Sequence, residues 1–403
     1  MNRKIIYISG LFPKEKEKEI LNYSKGNIQN AANNLQWSIF EGLNNIENRD
    51  LYILNSMFIG SFPKRYKKIR IKSHIFNNNP RHRNIGFINL PLFKFYHKYL
   101  TLKKEIKKID LFEFDTVISY AMTETNLKLI KSIKKNNSRV KTVLIVPDLP
   151  EYMNMQSKKS FVYKIFKRKS YARILQNLKY VDYFCFLTSH MAEKLNISQN
   201  YCIVEGITTN STLQESRVTS LYEKSMDEIV YMYSGGLSEA YGVKELVDNF
   251  VEITNNKLRL IVCGFGELNE YIKEKADQDN RIIYYGQLSR SEVLSLQYTA
   301  DFLVNPRANN HEFTKYSFPS KLIEYMTSGN PVISFKLDGI PNEYYDHLIL
   351  IDDFNYSIKE TIENTAIFSQ EKKNSMGRKA KRFIEKYKTP NYQVGKLIKM
   401  IGE

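Results

Sequence analysis

The chain has 403 residues, of which 42% are hydrophobic and 26% charged, and it carries a formal net charge of +17. The length suffices for two or three domains with separate cores, and the composition excludes collagen-like and wholly disordered classes. The chain has no run of about 20 apolar residues and only three scattered cysteines, so we expect no transmembrane helix, no disulfide framework and a cytoplasmic setting.

Apolar runs of strand length alternate with helix-period segments through the first half of the chain. The predicted strands are 4–9, 50–54, 116–120, 142–146, 183–187 and 201–204. The predicted helices are 28–43, 92–109, 124–135 and 160–179. Residues 206–227 are rich in Ser and Thr without a clear period, which is typical of a linker.

The second half repeats this alternation. The predicted strands are 228–233, 259–263, 282–285, 302–305, 331–334 and 348–351. The predicted helices are 243–253, 268–276, 290–298, 320–327, 357–369, 372–387 and 390–400. The pattern predicts an α/β fold with two doubly wound, Rossmann-like domains, whose parallel sheets leave a ligand-binding cleft at the carboxyl ends of their strands.

We assign these domains from the same pattern. The N-terminal domain is residues 1–208, the linker 209–227, and the C-terminal domain 228–387. Residues 388–403 form a final helix that could cross back to the first domain.

Residues 313–335 carry the clearest chemical signal. A loop with Ser317 leads to a predicted helix entrance at Pro319, Ser320 and Lys321. The N-terminus of a helix exposes unpaired N–H groups and a partial positive charge, which suits a phosphate, and Lys321 adds a full charge. Glu324 lies about one turn further along the same face and could accept hydrogen bonds from two hydroxyl groups. The segment therefore predicts a site for a sugar nucleotide.

Two glycine-rich turns and an arginine follow neighbouring predicted strands. Their residues are Gly235, Gly236, Tyr241, Gly242, Gly264, Gly266 and Arg307. Glycines let a backbone approach a ligand closely, and a guanidinium suits phosphate, although plain strand–helix turns and a solvated arginine are the alternatives. The second turn lacks the third glycine of a dinucleotide fingerprint, so it gives little support for NAD binding.

Acceptor-side candidates in the first half are Asp148, Glu124 and Asn30. Asp148 and Glu124 follow predicted strands, and Asn30 belongs to an amide-rich helix start, although Asp148 could equally be a turn or N-cap residue. We interpret residues 277–279, which read Asp-Gln-Asp, as a solvated turn. We therefore expect no metal and no cofactor.

The charge is unevenly distributed. Residues 1–205 hold 36 basic and 16 acidic side chains, a net of +20, whereas residues 206–403 have a net of −3. Basic segments at 64–72 and 158–171 suit an anionic membrane surface, where each basic residue contributes about 1 kcal/mol. A solvated helix face is the alternative, and no motif supports nucleic-acid binding.

The segment FPSKLIEYMTSGNPVIS resembles the donor-site helix of the retaining GT-B glycosyltransferases of family 4, also called group 1. Glu324 matches the ribose-binding glutamate of that family. Tyr316 stands eight positions earlier, where many members have a glutamate that contacts the sugar, and Phe318 lies within the motif. Gly236 and Tyr241 replace a basic pair, so Lys321 and Arg307 are the candidates for stabilising the leaving diphosphate.

This resemblance implies transfer of a sugar from a nucleoside diphosphate sugar, UDP-sugar being favoured, with retention of configuration and without a metal. Segments such as VPDLPEYMN and LTSHMAEKL resemble bacterial capsule and exopolysaccharide enzymes, which implies a glycan or lipid-linked acceptor at the inner membrane face. The alternatives are a sugar-nucleotide epimerase or hydrolase of the same fold, or a basic nucleic-acid-binding protein.

Overall fold

The structure, a computed structural model, describes residues 3–26, 28–47, 49–152, 161–208, 221–351 and 357–402, with only the backbone for 161–166. The chain divides into two compact units. The first comprises Met1–Glu205 together with Pro390–Glu403, and the second comprises Gly206–Thr389.

The first unit is built on an eight-stranded sheet with the order β10-β9-β8-β7-β1-β2-β5-β4. Its pairs are parallel except for the β4–β5 hairpin. A small antiparallel pair, β3–β6, lies outside this sheet. The strands are β1 Arg3–Ser9, β2 Arg49–Asn55, β3 Arg70–Ile71, β4 His74–Phe76, β5 Asn79–Asn84, β6 Phe87–Ile88, β7 Thr116–Tyr120, β8 Lys141–Val146, β9 Tyr183–Phe186 and β10 Tyr201–Ile203.

Helices pack around this sheet, and the last of them comes from the far end of the chain. They are α1 Glu17–Tyr23, α2 Asn30–Asn44, α3 Phe93–Ile106, α4 Glu124–Asn136, α5 Phe161–Asn177, α6 Ser189–Lys194 and α13 Pro390–Met400. Pro390 begins α13 because a first-turn proline sacrifices no intrahelical hydrogen bond. α13 packs against α2 so closely that a Cβ on Gly42 would lie 2.4 Å from the Val394 side chain.

The second unit has a six-stranded, fully parallel sheet with the order β13-β12-β11-β14-β15-β16. Its strands are β11 Ile229–Leu237, β12 Leu258–Gly266, β13 Ile282–Gly286, β14 Phe302–Asn305, β15 Val332–Phe335 and β16 Ile349–Ile351. Its helices are α7 Val243–Val251, α8 Asn269–Gln278, α9 Arg290–Thr299, α10 Lys321–Ser328, α11 Ile358–Ala366 and α12 Gln370–Tyr387.

The core of the second unit explains why these strands are central. Tyr231, Leu260 and Leu303 are completely buried, as continuous apolar strands must be when helices cover both faces of a parallel sheet. Parallel strands bring their carboxyl ends to one edge, so the loops after β11, β12 and β14 lie together there.

Two strands of the second unit run further than the sequence predicts. The apolar runs end near residues 233 and 263, yet β11 and β12 stay paired to Leu237 and Gly266. A Cβ on Gly264 would lie 1.8 Å from the Gly235 carbonyl oxygen, so glycine is what permits this close pairing. Gly235, Gly264 and Gly266 are therefore strand residues and not loop residues.

Candidate functional site

A polar cluster lies where β11, α9 and α10 meet at the carboxyl edge of the second sheet. Its centre is Glu324, whose Oε1 accepts hydrogen bonds from Lys321 Nζ and Gln297 Nε2, both at 2.9 Å. Gln297 Nε2 also lies 3.1 Å from Ser234 Oγ at the end of β11. One carboxylate is thus held by side chains from two helices and linked to the sheet edge.

The electrostatics of Glu324 follow from this arrangement. Burial raises the pKa of its carboxyl, but the Lys321 ammonium and the Gln297 amide outweigh burial and leave the pKa below its usual value. Glu324 is therefore ionised at neutral pH. Gln297 Oε1 is buried without a hydrogen-bond partner among the described residues.

The start of α10 has no side-chain cap. Ser320 is exposed and occupies the N-cap position without a capping side-chain hydrogen bond, so the first-turn N–H groups receive no side-chain cap from it. Tyr325 fixes the helix to the sheet, because its hydroxyl accepts from the Ser234 amide at 2.8 Å and donates to the Ser234 carbonyl at 3.0 Å. Burial raises the pKa of the Cys263 thiol to about 12, and the nearby charge of Lys321 acts in the opposite direction.

Arg307 is a second cation at this edge, and it is only 5% exposed. Its Nη2 donates to Ser317 Oγ at 2.5 Å, and its guanidinium lies 4.7 Å from the centre of the Phe313 ring. Its Nε has no partner, and no carboxylate pairs with it in the part of the chain that the structure describes. Burial lowers the pKa of Arg307 to about 10, so it remains charged at neutral pH.

Gly242 brings the start of α7 to Arg307. Its φ of +72° is left-handed, and a Cβ there would lie 2.0 Å from the Pro306 carbonyl oxygen. Tyr241 precedes it and is 40% exposed, and it interacts electrostatically with Arg307. A Cβ on Gly236 would lie 3.1 Å from the Tyr241 ring, so these two residues are direct neighbours.

Other residues predicted for the site have different surroundings. Phe318 is buried and packs on Tyr344 with ring centres 5.3 Å apart, which makes it a core residue, and Pro319 is buried beside it. Tyr316 ends a short 3-10 helix, and its hydroxyl lies 3.5 Å from Glu312 Oε1.

The first unit brings two polar groups to its own carboxyl edge. Asp148 follows β8, and the surrounding protein displaces enough water to raise its pKa to about 6, although the residue retains solvent access. Tyr120 ends the neighbouring strand β7, and its buried hydroxyl has no partner among the described residues. Burial and the charge of Asp148 both raise the pKa of Tyr120.

The other two acceptor-side candidates are placed less favourably. Glu124 begins α4 and is already paired with Lys128 at 2.7 Å and Arg173 at 3.1 Å. Asn30 is exposed at the first position of α2. The amides that point inward are Asn33 and Gln36, which accept from the Phe12 and Gly10 amides at 2.7 and 2.6 Å and so fix the loop after β1.

Sequence reasoning missed Gln297, Gln36 and Tyr120. The available signal for Gln297 and Gln36 was a polar residue on the buried face of a predicted helix, where a hydrogen-bonding role is expected. Tyr120 gave no such signal, because tyrosine is common at the end of an apolar strand.

Comparisons with known proteins bear on the family and the fold of the chain. Residues 220–387 match the family model described as glycosyl transferases group 1. A comparison with curated proteins found no match. Among helices of the described residues, none is both long and apolar enough to cross a bilayer.

Solved structures match over nearly the whole chain. The trehalose-6-phosphate phosphatase N-terminal domain of Candida albicans has a TM-score of 0.69 and 11% identity, covering 100% of this chain and 97% of that one. Sucrose-phosphate synthase from Thermosynechococcus elongatus has a TM-score of 0.63 and 12% identity, covering 99% of both chains. HepE of Anabaena in complex with UDP has a TM-score of 0.59 and 14% identity, covering 98% of this chain and 99% of that one. These matches confirm the predicted fold class, two doubly wound α/β units of the GT-B type.

Proposed function

We propose that this protein, whose residues 220–387 match the group 1 family model, is a glycosyltransferase that moves a sugar from UDP-sugar to a glycan or lipid-linked acceptor. The observation that carries the proposal is the ionised Glu324 carboxylate, held by Lys321 and Gln297 beside the uncapped start of α10. A ribose presents two adjacent hydroxyl donors to such a carboxylate, and the diphosphate then lies at the helix N-terminus.

Two cations would stabilise the leaving diphosphate. Lys321 lies at the helix entrance with 43% of its side chain exposed, so it can exchange its contact with Glu324 for a phosphate oxygen. Arg307 is already buried, and a charge acts more strongly in buried surroundings than in water. Because Gly236 and Tyr241 bring no charge, we assign to Arg307 the role that a basic residue on the first turn would otherwise fill. Neither role requires a metal.

The choice of UDP rests on the Anabaena protein, whose solved complexes contain UDP and UDP-glucose. Donor-site contacts in this chain would come from Gly235, Gly236, Tyr241, Gly242, Gly264, Gly266, Tyr316, Ser317 and Ser320. We leave Phe318 and Pro319 out of direct contact because they are buried in the core.

The acceptor would meet Asp148 and Tyr120 in the first unit. A carboxylate with a pKa of about 6 is ionised at neutral pH and can accept a hydrogen bond from the incoming hydroxyl group. We propose retention of configuration, a role in bacterial surface polysaccharide synthesis, and a cytoplasmic enzyme attached to the anionic inner face of the membrane through its basic first half.

Thermal shift across UDP-, GDP- and ADP-sugars tests the donor site. We expect UDP-sugars to raise the unfolding midpoint of the wild type and to leave that of Glu324→Gln unchanged. Stabilisation by none of the nucleotides would contradict the proposal.

Product analysis distinguishes the proposed transferase from an epimerase or a hydrolase. A transferase gives a new glycoside only when acceptor is added, whereas an epimerase or hydrolase converts the donor alone. The anomeric configuration of the glycoside, determined by NMR, tests retention. A gel shift with tight binding at physiological salt would favour a nucleic-acid partner instead.

A further inference from the structure

The first two turns of α3 have lysines on the inner face and apolar side chains on the outer face. Lys94 and Lys98 lie on its inner face and are only 7% and 6% exposed. Lys94 Nζ donates to the Ile59 carbonyl at 3.0 Å, and Lys98 Nζ donates to the Ser56 and Met57 carbonyls at 3.0 and 2.6 Å. The inner lysines therefore fix the segment after β2, and they leave the outer face of the same helix to other residues.

Large apolar side chains occupy that outer face. Phe93, Tyr96 and Leu100 are 42%, 56% and 41% exposed, and Leu92, just before the helix, is 62% exposed. At 3.6 residues per turn the three helical positions lie within about 60° of arc, so they form one stripe. Single exposed apolar residues are common on a soluble protein, but a stripe of them on one helix face marks a surface that something else covers.

Two further apolar residues ahead of α3, Ile69 and Leu90, are 45% and 36% exposed. The Asn89 amide donates to the Ile69 carbonyl at 2.6 Å, which holds the segment before α3 against residue 69. We name the surface formed by Leu92, Phe93, Tyr96 and Leu100 the apolar stripe.

Basic residues continue the same face toward the end of α3. Lys103, Lys104 and Lys107 follow Leu100 on the outside of the helix, and Lys104 and Lys107 are exposed. Glu105 is the one acidic residue between 51 and 109, and it is neutralised by Arg83 at 2.9 Å and Lys108 at 2.8 Å. An apolar stripe in a region with almost no negative charge favours an anionic occupant.

We propose that the outer face of α3 docks on an anionic bilayer, with the apolar stripe at the level of the headgroups and Lys103, Lys104 and Lys107 contacting lipid phosphates. Aromatic rings and lysines on one helix face are the combination that interfacial helices use. The sequence-based hypothesis relied on residues 64–72 and 158–171 and did not include this face. Residues 158–160 of the second segment lie outside the described part of the chain, and only the backbone is described for 161–166.

This inference rests on the proposed membrane association, and the test separates the two. Vesicle sedimentation compares the full-length chain on phosphatidylcholine alone and on phosphatidylcholine with about one third phosphatidylglycerol. Three proteins are compared: the wild type, Phe93→Ser/Tyr96→Ser/Leu100→Ser, and the control Leu221→Ser/Met226→Ser/Ile367→Ser. The control removes three side chains of the second unit that are 44%, 105% and 85% exposed. UDP-sugar thermal shift on each protein verifies folding and the donor site.

We expect the wild type and the control to bind the anionic vesicles, and the stripe variant to bind at least about tenfold more weakly. A Lys103→Gln/Lys104→Gln/Lys107→Gln variant should lose a similar factor at low salt, and this loss should shrink at high salt. In the Phe93→Trp variant, brominated lipid in the anionic vesicles should quench the fluorescence of the introduced tryptophan.

Three outcomes would overturn the inference. The stripe variant could bind as the wild type does, which places the lipid contact elsewhere and leaves the proposed membrane association intact. The wild type could bind no vesicle. This result would refute both the docking of α3 and the proposed membrane association, whereas stabilisation by UDP-sugar would still support the donor site. The stripe could instead hold two copies together, in which case light scattering would find a dimer that the stripe variant abolishes.

Discussion

The polar groups at the carboxyl edges of the two sheets differ in how far their hydrogen bonds are satisfied. In the second unit, Glu324, Lys321 and Gln297 already contact one another, and Tyr325 ties their helix to the sheet. In the first unit, the Tyr120 hydroxyl has no partner in the described part of the chain, and the charge of Asp148 is disfavoured by its surroundings.

The difference matches what each edge is proposed to bind. A nucleotide is charged and large, so a site assembled in advance loses little entropy on binding it. An acceptor hydroxyl is neutral, and unsatisfied groups such as Tyr120 gain their hydrogen bonds only when it arrives. The following variants are ordered from the largest expected effect to the smallest.

Glu324→Gln should reduce kcat/KM by at least about a hundredfold, because it removes the charge that accepts two hydroxyl hydrogen bonds. Steady-state kinetics with UDP-sugar and acceptor measure this. Glu252→Gln is the matched control, since Glu252 pairs with Lys359 at 3.8 Å in the same unit and is well exposed. Turnover of Glu324→Gln equal to that of the control would contradict the donor site.

Arg307→Met should lower kcat/KM by about thirtyfold and at the same time raise the unfolding midpoint. The reason is that Arg307 is a buried cation without a carboxylate partner among the described residues, so it costs stability until diphosphate arrives. Arg259→Met provides the contrast, because Arg259 pairs with Glu228 at 2.9 Å and its loss should destabilise the unit without affecting transfer. A less stable, fully active Arg307→Met would refute the assignment.

Asp148→Asn should lower kcat/KM by about tenfold and change its pH dependence. The wild-type value should rise with pH through about 6, because the carboxylate must be ionised to accept the hydroxyl hydrogen. The variant should lose this acidic limb, whereas Glu124→Gln should retain it since Glu124 serves ion pairs. An unchanged limb in Asp148→Asn would assign the ionisation to another group.

Lys94→Met gives the smallest effect, and it concerns stability. Burial lowers the pKa of Lys94 to about 8, below its value in the unfolded chain, so the folded state releases its proton first as pH rises. The stability of the wild type relative to the variant should therefore increase by about 1 kcal/mol between pH 7 and pH 9. Urea unfolding at both pH values measures this, with Lys104→Met as the control for the loss of an exposed lysine on the same helix.

The second unit was the easier of the two to predict. Its strands are apolar runs, and Lys321 and Glu324 stand three residues apart on one helix, so local spacing places them together. Gln297 comes from another helix, and its contact with Glu324 depends on how α9 and α10 pack, which no local pattern encodes. The prediction of loops at Gly235 and Gly264 was wrong. Glycine after an apolar run usually indicates a loop, whereas here it permits closer pairing of β11 and β12.

The first unit was harder to predict from its sequence. Helix periodicity assigns lysines to the exposed face, so it predicts an α3 with Lys94 and Lys98 on the outside. Both lysines are buried because backbone carbonyls after β2 accept hydrogen bonds from their ammonium groups, and these contacts join residues 35 to 42 positions apart. The short strands β3 to β6 were likewise missed. Three of them, β3, β4 and β6, have only two or three residues, which is too short to show an alternation, and β5 contains Arg81 and Arg83.

The second unit is, in genetic terms, an insertion within the first. The Thr208 amide donates to the Lys388 carbonyl at 2.8 Å, so the two ends of this insert lie side by side. Gln393 Nε2 lies 3.2 Å from Glu205 Oε1, so the two segments of the first unit that flank the insertion are adjacent as well. A two-point crossover at these junctions would exchange the whole insert, so a gene could acquire a different second unit, with its proposed donor site, and keep the first unit unchanged.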